Sequence, residues 1–163
     1  MFDTINSKYA PKALGPYSQA VKLGDFVYLS GMIPVNPETN EVVEGGIAEQ
    51  TKMIMLNIGN VLNEMNLEHR HILKTTIFMT DLNDFDQMNT EYAKFFDGKY
   101  PARSCVEVKA LPKGVNIEIE CMVIDTLVYE YQMQQQAEGG CGCGGCSDTS
   151  SCGDGGCGSG CCG

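Results

Sequence analysis

Residues 101–120 read PARSCVEVKALPKGVNIEIE, two runs of alternating side chains on either side of Leu111-Pro112-Lys113-Gly114. A period of two marks β-strands, and Pro and Gly together mark a reversal. Read as a hairpin with Val108 opposite Val115, the segment sets Arg103 opposite Glu120 and Cys105 opposite Glu118. Arg103, Cys105 and Glu107 then share a face with Glu118 and Glu120. Directly opposite pairs lie about 5 Å apart and diagonal ones about 7–8 Å, so Arg103 reaches either glutamate. A register slip of one residue would undo this arrangement. From spacing alone the residues read first as a solvated salt-bridge ladder contributing roughly 0–1 kcal/mol, and second as a site for an anionic ligand. The residue type bears on the choice: Arg70 and Arg103 stand beside nine lysines, and only a guanidinium offers a planar fork for a carboxylate.

Upstream, sheet and helix periods alternate. YSQAVKL and FVYLSG flank Gly24-Asp25, a pair suited to a tight antiparallel reversal. From Ile47 the apolar positions Ile54, Met55, Ile58, Val61, Leu62 and Met65 recur at three and four, one stripe on a long helix. ILKTTIFM is a β-branched strand. Asn83 or Asp84 can cap a second helix carrying Phe85, Met88, Tyr92 and Phe95 on one face. The order strand, strand, helix, strand, helix, strand, strand predicts an α+β sandwich, a mixed sheet with two helices on one face. The other face, with Tyr28, Met122 and Ile124, is expected to self-associate.

The chain of 163 residues has a formal net charge of −10. That balance repels phosphate backbones, so no nucleic-acid partner is expected. No apolar run approaches a bilayer span and the start lacks a signal-peptide pattern, which together predict a cytoplasmic protein with no membrane partner. Composition divides the chain into a domain over 1–127 and, over 128–163, a Gln-rich joint followed by a Gly/Cys-rich tail. From Gly139 onward there is no large aliphatic or aromatic residue, so the tail is expected to be disordered. It carries Cys141, Cys143, Cys146, Cys152, Cys157, Cys161 and Cys162. Thiolates at such spacings can wrap a soft metal or an iron–sulfur cluster, and the same composition reads as a redox-sensitive thiol tail. His69 and His71 lack accompanying ligand residues and are expected at the surface.

GPYSQAV, LSGMIPVNP, KTTIFMTDLNDF, MNTEYAKFF and PARSCVEVKALPKGVNIEIE, in that order, resemble the reactive intermediate/imine deaminase (RidA, or YjgF) family over roughly Ile5 to Asp125. The resemblance implies a chorismate-mutase-like fold, a homotrimer with sheets packed at its centre, and ligand sites between neighbouring subunits. It implies hydrolysis of 2-imino acids (2-iminobutanoate or 2-iminopropanoate) to 2-oxo acids and ammonia. It also implies the residues: Arg103 to bind carboxylate, Glu118 to handle water, and Tyr17, Ser30, Gly31, Asn89 and Cys105 to line the cleft. Cys105 lacks a neighbouring histidine to activate it and reads on its own as a small buried hydrophobe. Such chemistry needs a grip on the acid group and a proton manager, so no cofactor is expected for catalysis. Two other functions are compatible with the residues: a non-catalytic protein binding small carboxylates, and the endoribonuclease or translation-inhibitor activity attributed to some relatives. The acidic balance disfavours the latter.

Overall fold

The structure, a computed structural model, describes residues 1–138. Six strands form one mixed sheet: β1 (Asp3–Ile5), β2 (Ala20–Leu23), β3 (Phe26–Met32), β4 (Ile72–Met79), β5 (Ala102–Glu107) and β6 (Ile117–Ile124). Three α-helices accompany it: α1 (Ile47–Asn63), α2 (Phe85–Ala93) and α3 (Leu127–Glu138). The strand order across the sheet is β1-β2-β3-β6-β4-β5. This is the α+β architecture expected from the sequence, with β1 and α3 added.

The β2–β3 hairpin turns at Gly24-Asp25 as read, with Leu23 opposite Phe26 and Gly24 at φ +59°, a conformation glycine adopts without strain. In α1 the stripe Ile47, Thr51, Ile54, Met55, Ile58, Val61 and Leu62 is buried. Glu49 Oε2 accepts the Gly46 N–H at 2.9 Å, satisfying one of the backbone donors left open at the helix start. The stripe packs with Val27, Leu29, Ile77, Ile117, Ile119 and Val123 of the sheet in one core. The opposite sheet face is open: Phe26, Tyr28 and Val106 are 46, 49 and 43% exposed.

The hairpin read at 101–120 is not formed. β5 pairs parallel with β4, Thr75 opposite Arg103 and Ile77 opposite Cys105. β6 lies on the other side of β4, antiparallel, with Ile77 opposite Ile119 and Phe78 opposite Glu118. β4 therefore stands between the two strands expected to be neighbours. The β4–α2–β5 passage is the crossover that parallel strands require, and residues 108–116 then carry the chain over β4 to β6. Consequently Arg103 and Cys105 share the helix-covered face with Thr75 and Ile77, whereas Glu118 and Glu120 point from the open face with Phe78 and Thr76. The predicted proximity of Arg103 to Glu118 within one chain is overturned.

The Gln-rich stretch read as a joint is helical as α3. Arg70 donates two bonds to it, Nη1 to Glu130 Oε1 at 3.0 Å and Nη2 to Glu130 Oε2 at 3.1 Å. Tyr129 Oη donates to Asp25 Oδ2 at 2.7 Å, and Leu127 packs on the core. Glu130 is held down at about 2, chiefly by the Arg70 hydrogen bonds. The tail cysteines from Cys141 to Cys162 lie outside the described residues. No helix among the described residues is long and apolar enough to cross a membrane.

Candidate active site in two halves

The first half forms where β3 departs from regular pairing. Leu29 faces Cys121 and Met32 faces Ile119, so three steps along β3 match two along β6, a β-bulge at Ser30-Gly31. The extra residue keeps both Leu29 and Met32 in the core. It also turns Ser30 and Gly31 toward the open face, where β6 offers Glu118. Ser30 Oγ donates to the Ser18 carbonyl at 2.7 Å, and Ser30 N–H donates to the Gln19 carbonyl at 3.0 Å. A Cβ built on Gly31 would stand 1.8 Å from Glu118 Oε1. The carboxyl therefore lies directly against the glycine backbone, in space that any other residue would fill. Loop residues Leu14, Pro16 and Tyr17, with Ile33 and Pro112, complete a cavity of about 460 Å³ around Ser30, Gly31 and Glu118. Tyr17 Oη accepts the Leu14 N–H at 3.0 Å, leaving its own proton to donate.

Burial raises the Glu118 pKa above its ordinary value, and Glu120 on the same face adds to the rise. A carboxyl so shifted exchanges protons more readily near neutrality than a free one.

The second half lies at the β5 edge on the helix side. Arg103 is sandwiched against α2, its guanidinium carbon 5.2 Å from the centre of the Tyr92 ring and 5.5 Å from that of Phe85. Cation–π contact holds the fork without using its N–H donors. Asn89, Tyr92, Ala93, Tyr100 and Pro101 line a cavity of about 350 Å³ with it. Asn89 Oδ1 is buried with no hydrogen-bond partner among the described residues, an orphan acceptor of the kind found at binding sites. Tyr92 Oη shares a 3.0 Å hydrogen bond with Thr75 Oγ1, and burial pushes the phenol up to about 12, so it stays neutral. Cys105 Sγ sits 3.6 Å from Met79 Sδ; burial raises the thiol, partly offset by Arg103, which keeps it protonated and unreactive.

Among the described residues neither Arg103 nor Glu118 makes an ion pair. One half holds an unpaired cation fork, the other an unpaired half-buried carboxyl, on opposite faces of one sheet. The seven candidate residues thus divide as Arg103, Asn89 and Cys105 against Tyr17, Ser30, Gly31 and Glu118. The aromatic clamp of Phe85 and Tyr92 was missed as part of the site; its signal, the apolar face of α2, reads as core alone.

The profile described as Endoribonuclease L-PSP matches residues 7–125. The chain belongs to this family. The same family is called YjgF/RidA. Its members include a human protein named 2-iminobutanoate/2-iminopropanoate deaminase, 41% identical over 120 residues, 74% of this chain and 88% of the human one. A RutC family protein of Pyrococcus abyssi is 46% identical over 120 residues, 74% of this chain and 94% of its own. The fold is shared with a Rid family protein of Yersinia pestis, TM-score 0.74 at 45% identity, covering 77% of this chain and 100% of that one. It is shared too with E. coli TdcF with bound serine, TM-score 0.72 at 41% identity, covering 76% and 98%. The family profile, over residues 7–125, spans both halves and ends before α3.

His69 and His71, expected at the surface, are half-buried and buried. His69 Nε2 lies 2.9 Å from the Met55 carbonyl and its ring packs 5.4 Å from Phe95. His71 Nδ1 lies 3.0 Å from the Glu68 nitrogen and 3.1 Å from the Glu68 carbonyl oxygen. The partners of His69, the Met55 carbonyl of α1 and the Phe95 and Phe96 rings just after α2, are distant in sequence and invisible in the local pattern.

Proposed function

We propose that this chain hydrolyses small 2-imino acids, of the size of 2-iminobutanoate and 2-iminopropanoate, to 2-oxo acids and ammonia. The site would form in a homotrimer, where the Arg103 half of one copy meets the Glu118 half of its neighbour. The observation that carries this reading is the separation of an unpaired guanidinium and an unpaired, pKa-raised carboxyl onto opposite faces of one sheet. Each half suits one end of the same substrate, and a neighbouring copy can supply what each lacks. The open face with Phe26, Tyr28 and Val106 supports such an assembly, because apolar side chains on a sheet gain by being covered.

In this reading Arg103 grips the substrate carboxylate with its fork, and the Asn89 Oδ1 acceptor takes an N–H of the protonated imine. Tyr17 and Ser30 orient the other side. Water bound to Glu118 attacks the C=N carbon: its oxygen bonds to carbon, the π pair moves to nitrogen, and one water proton passes to the carboxylate. Glu118 returns that proton to the amine nitrogen. The C–N bond then breaks with its electron pair leaving on ammonia as the new hydroxyl passes its proton to the Glu118 carboxylate, and ammonia takes that proton away as ammonium. The sum is protonated imine plus water giving 2-oxo acid plus ammonium, so atoms, charge and electrons balance without a further reagent. Because 2-imino acids hydrolyse readily unaided, the transition-state stabilisation required is modest.

The test is a threonine dehydratase reaction in which semicarbazide traps the released imine. Adding the protein should divert flux from semicarbazone to 2-oxobutanoate, and Arg103→Ala should abolish the diversion. Equal behaviour of wild type and Arg103→Ala would overturn the assignment. Calorimetric binding of 2-oxobutanoate without any diversion would point instead to a carboxylate-binding role.

A further inference from the structure

We propose that Gln19 is a positioning residue that sets the loop bearing Tyr17 over the Glu118 carboxyl; this rests on the reading that Tyr17 orients the imine substrate. Gln19 is 5% exposed, and its side-chain amide is hydrogen-bonded at both its oxygen and its nitrogen. Oε1 accepts the Ser7 N–H at 2.6 Å. Nε2 donates to the carbonyls of Pro11 at 2.7 Å, Ser7 at 3.2 Å and Ala10 at 3.4 Å. These contacts, with the two Nε2 hydrogens shared among three carbonyls, tie residues 7–11, where there is no regular secondary structure to hold the backbone, to the residue preceding β2. Such backbone groups, buried here with Ser7 and Ala10, must be paired by something.

The main chain of the same residue faces the cleft. The Gln19 carbonyl accepts the Ser30 N–H at 3.0 Å, and the neighbouring Ser18 carbonyl accepts Ser30 Oγ. One residue therefore links the underside of the loop to the bulge that forms the cleft floor. The loop continues from Pro11 through Leu14 to Tyr17, all of which line the space above Ser30 and Gly31. Gln19 lines the adjoining space above Ser30 and Gly31 but not the cavity that holds Glu118. Its side chain bonds to Ser7, Ala10 and Pro11, so the amide's influence on the Glu118 cavity passes through the loop that these residues begin, and hence through Tyr17.

The amide orientation makes the proposal testable. Gln19→Glu keeps shape and keeps the acceptor for Ser7, but it places an oxygen where Nε2 met three carbonyls. Misplacement of a catalytic neighbour by about 1 Å can cost up to ~100-fold in rate. In the semicarbazide assay, Gln19→Glu should lower kcat/KM by about 10–100-fold. In a Tyr17→Phe background the same change should cost less than about threefold, because the loop no longer carries the orienting hydroxyl. Full additivity of the two substitutions, or Gln19→Glu activity within twofold of wild type in a folded protein, would overturn the proposal. A general structural defect would lower both backgrounds alike, so the coupling separates positioning from mere stability.

Hydrogen exchange on the unmutated chain provides a readout independent of turnover and of any variant's folding. The Ser7 amide should exchange as slowly as the amides of β2; exchange at the rate of an unstructured amide would overturn the staple itself. If wild type proves inactive toward imines while Ser7 is protected, the functional reading has failed and the coupling is read on 2-oxobutanoate binding instead. There Gln19→Glu should weaken binding in the wild-type background and not in Tyr17→Phe, and equal weakening in both would again overturn the proposal.

Discussion

Replacing Gly31 by alanine should move the Glu118 carboxyl and little else. The added methyl carbon would lie 1.8 Å from Glu118 Oε1, 2.8 Å from Cδ and 3.1 Å from Cγ. Ordinary contact begins near 3.4 Å, so the oxygen must retreat by about 1.6 Å. The backbone at Gly31 is not in the left-handed region, so alanine meets no conformational penalty there. The obstacle is the end of a flexible side chain beside an open cavity, which has room to turn. Stability should therefore change by less than about 1 kcal/mol. Catalysis is less forgiving: a displacement above 1 Å at the water-handling group should cost about 100-fold in kcat/KM, or about 2.7 kcal/mol. The semicarbazide competition measures the rate, and thermal unfolding measures stability. Because the methyl also enters the cleft, binding of 2-oxobutanoate by Gly31→Ala is measured beside turnover and should weaken by less than about threefold. Gly31→Ala activity within twofold of wild type would refute the reasoning, as would a loss of binding as large as the loss of rate.

Four further outcomes follow from the same geometry. The folded pKa of Glu118 is raised, so its contribution to stability is full below the ordinary value of 4.5 and is lost as pH rises through the higher folded value. Glu118→Gln should thus raise the melting temperature at pH 7 relative to wild type, with the advantage vanishing toward pH 4, while the acid limb of the wild-type activity profile lies above 4.5. Glu130 behaves oppositely: its folded pKa is lowered to about 2, so the attachment of α3 holds above its ordinary 4.5 and loosens as pH falls from there toward 2. Protease sensitivity of residues 127–138 should follow that window, and Arg70→Ala should remove the dependence. Ile77, fully buried between Cys105 and Ile119, should cost about 2–5 kcal/mol as alanine in urea unfolding. Light scattering at micromolar concentration should give a trimer for wild type and a smaller species for Tyr28→Asp; a wild-type monomer would count against a shared site.

The parts of the fold carried by local pattern were legible. Gly24-Asp25 between two alternating runs gave the β2–β3 hairpin, and the stripe from Ile47 to Leu62 gave α1 with its buried face. Periodicity says which residues of a strand share a face, but not which strand lies next to it. That is why β5 was placed against β6, and why Arg103 was drawn beside Glu118 when β4 separates them. Arg103 stands out by chemistry whatever the pairing, as one of two arginines, whereas Glu118 is set apart from Glu120 by the family resemblance and not by the strand pattern. β1 escaped because Asp3, Thr4 and Ile5 are too few to show a period. α3 escaped because its glutamines carry no stripe, and what ties it down is a pairing of Arg70 with Glu130 across 60 residues of sequence. The role of Gln19 was hidden for a similar reason: an amide before a strand reveals nothing until the loop it holds is seen in place.

Subunit complementation tests the central claim most directly. Arg103→Ala and Glu118→Gln, each inactive alone, are denatured together in equal amounts and refolded, and imine diversion is measured. If each site takes Arg103 from one copy and Glu118 from its neighbour, random mixing restores both groups at about one site in four, and about a quarter of wild-type activity returns. Mixed oligomers, verified by mass spectrometry, that show no activity above the separate variants would contradict a site shared between copies.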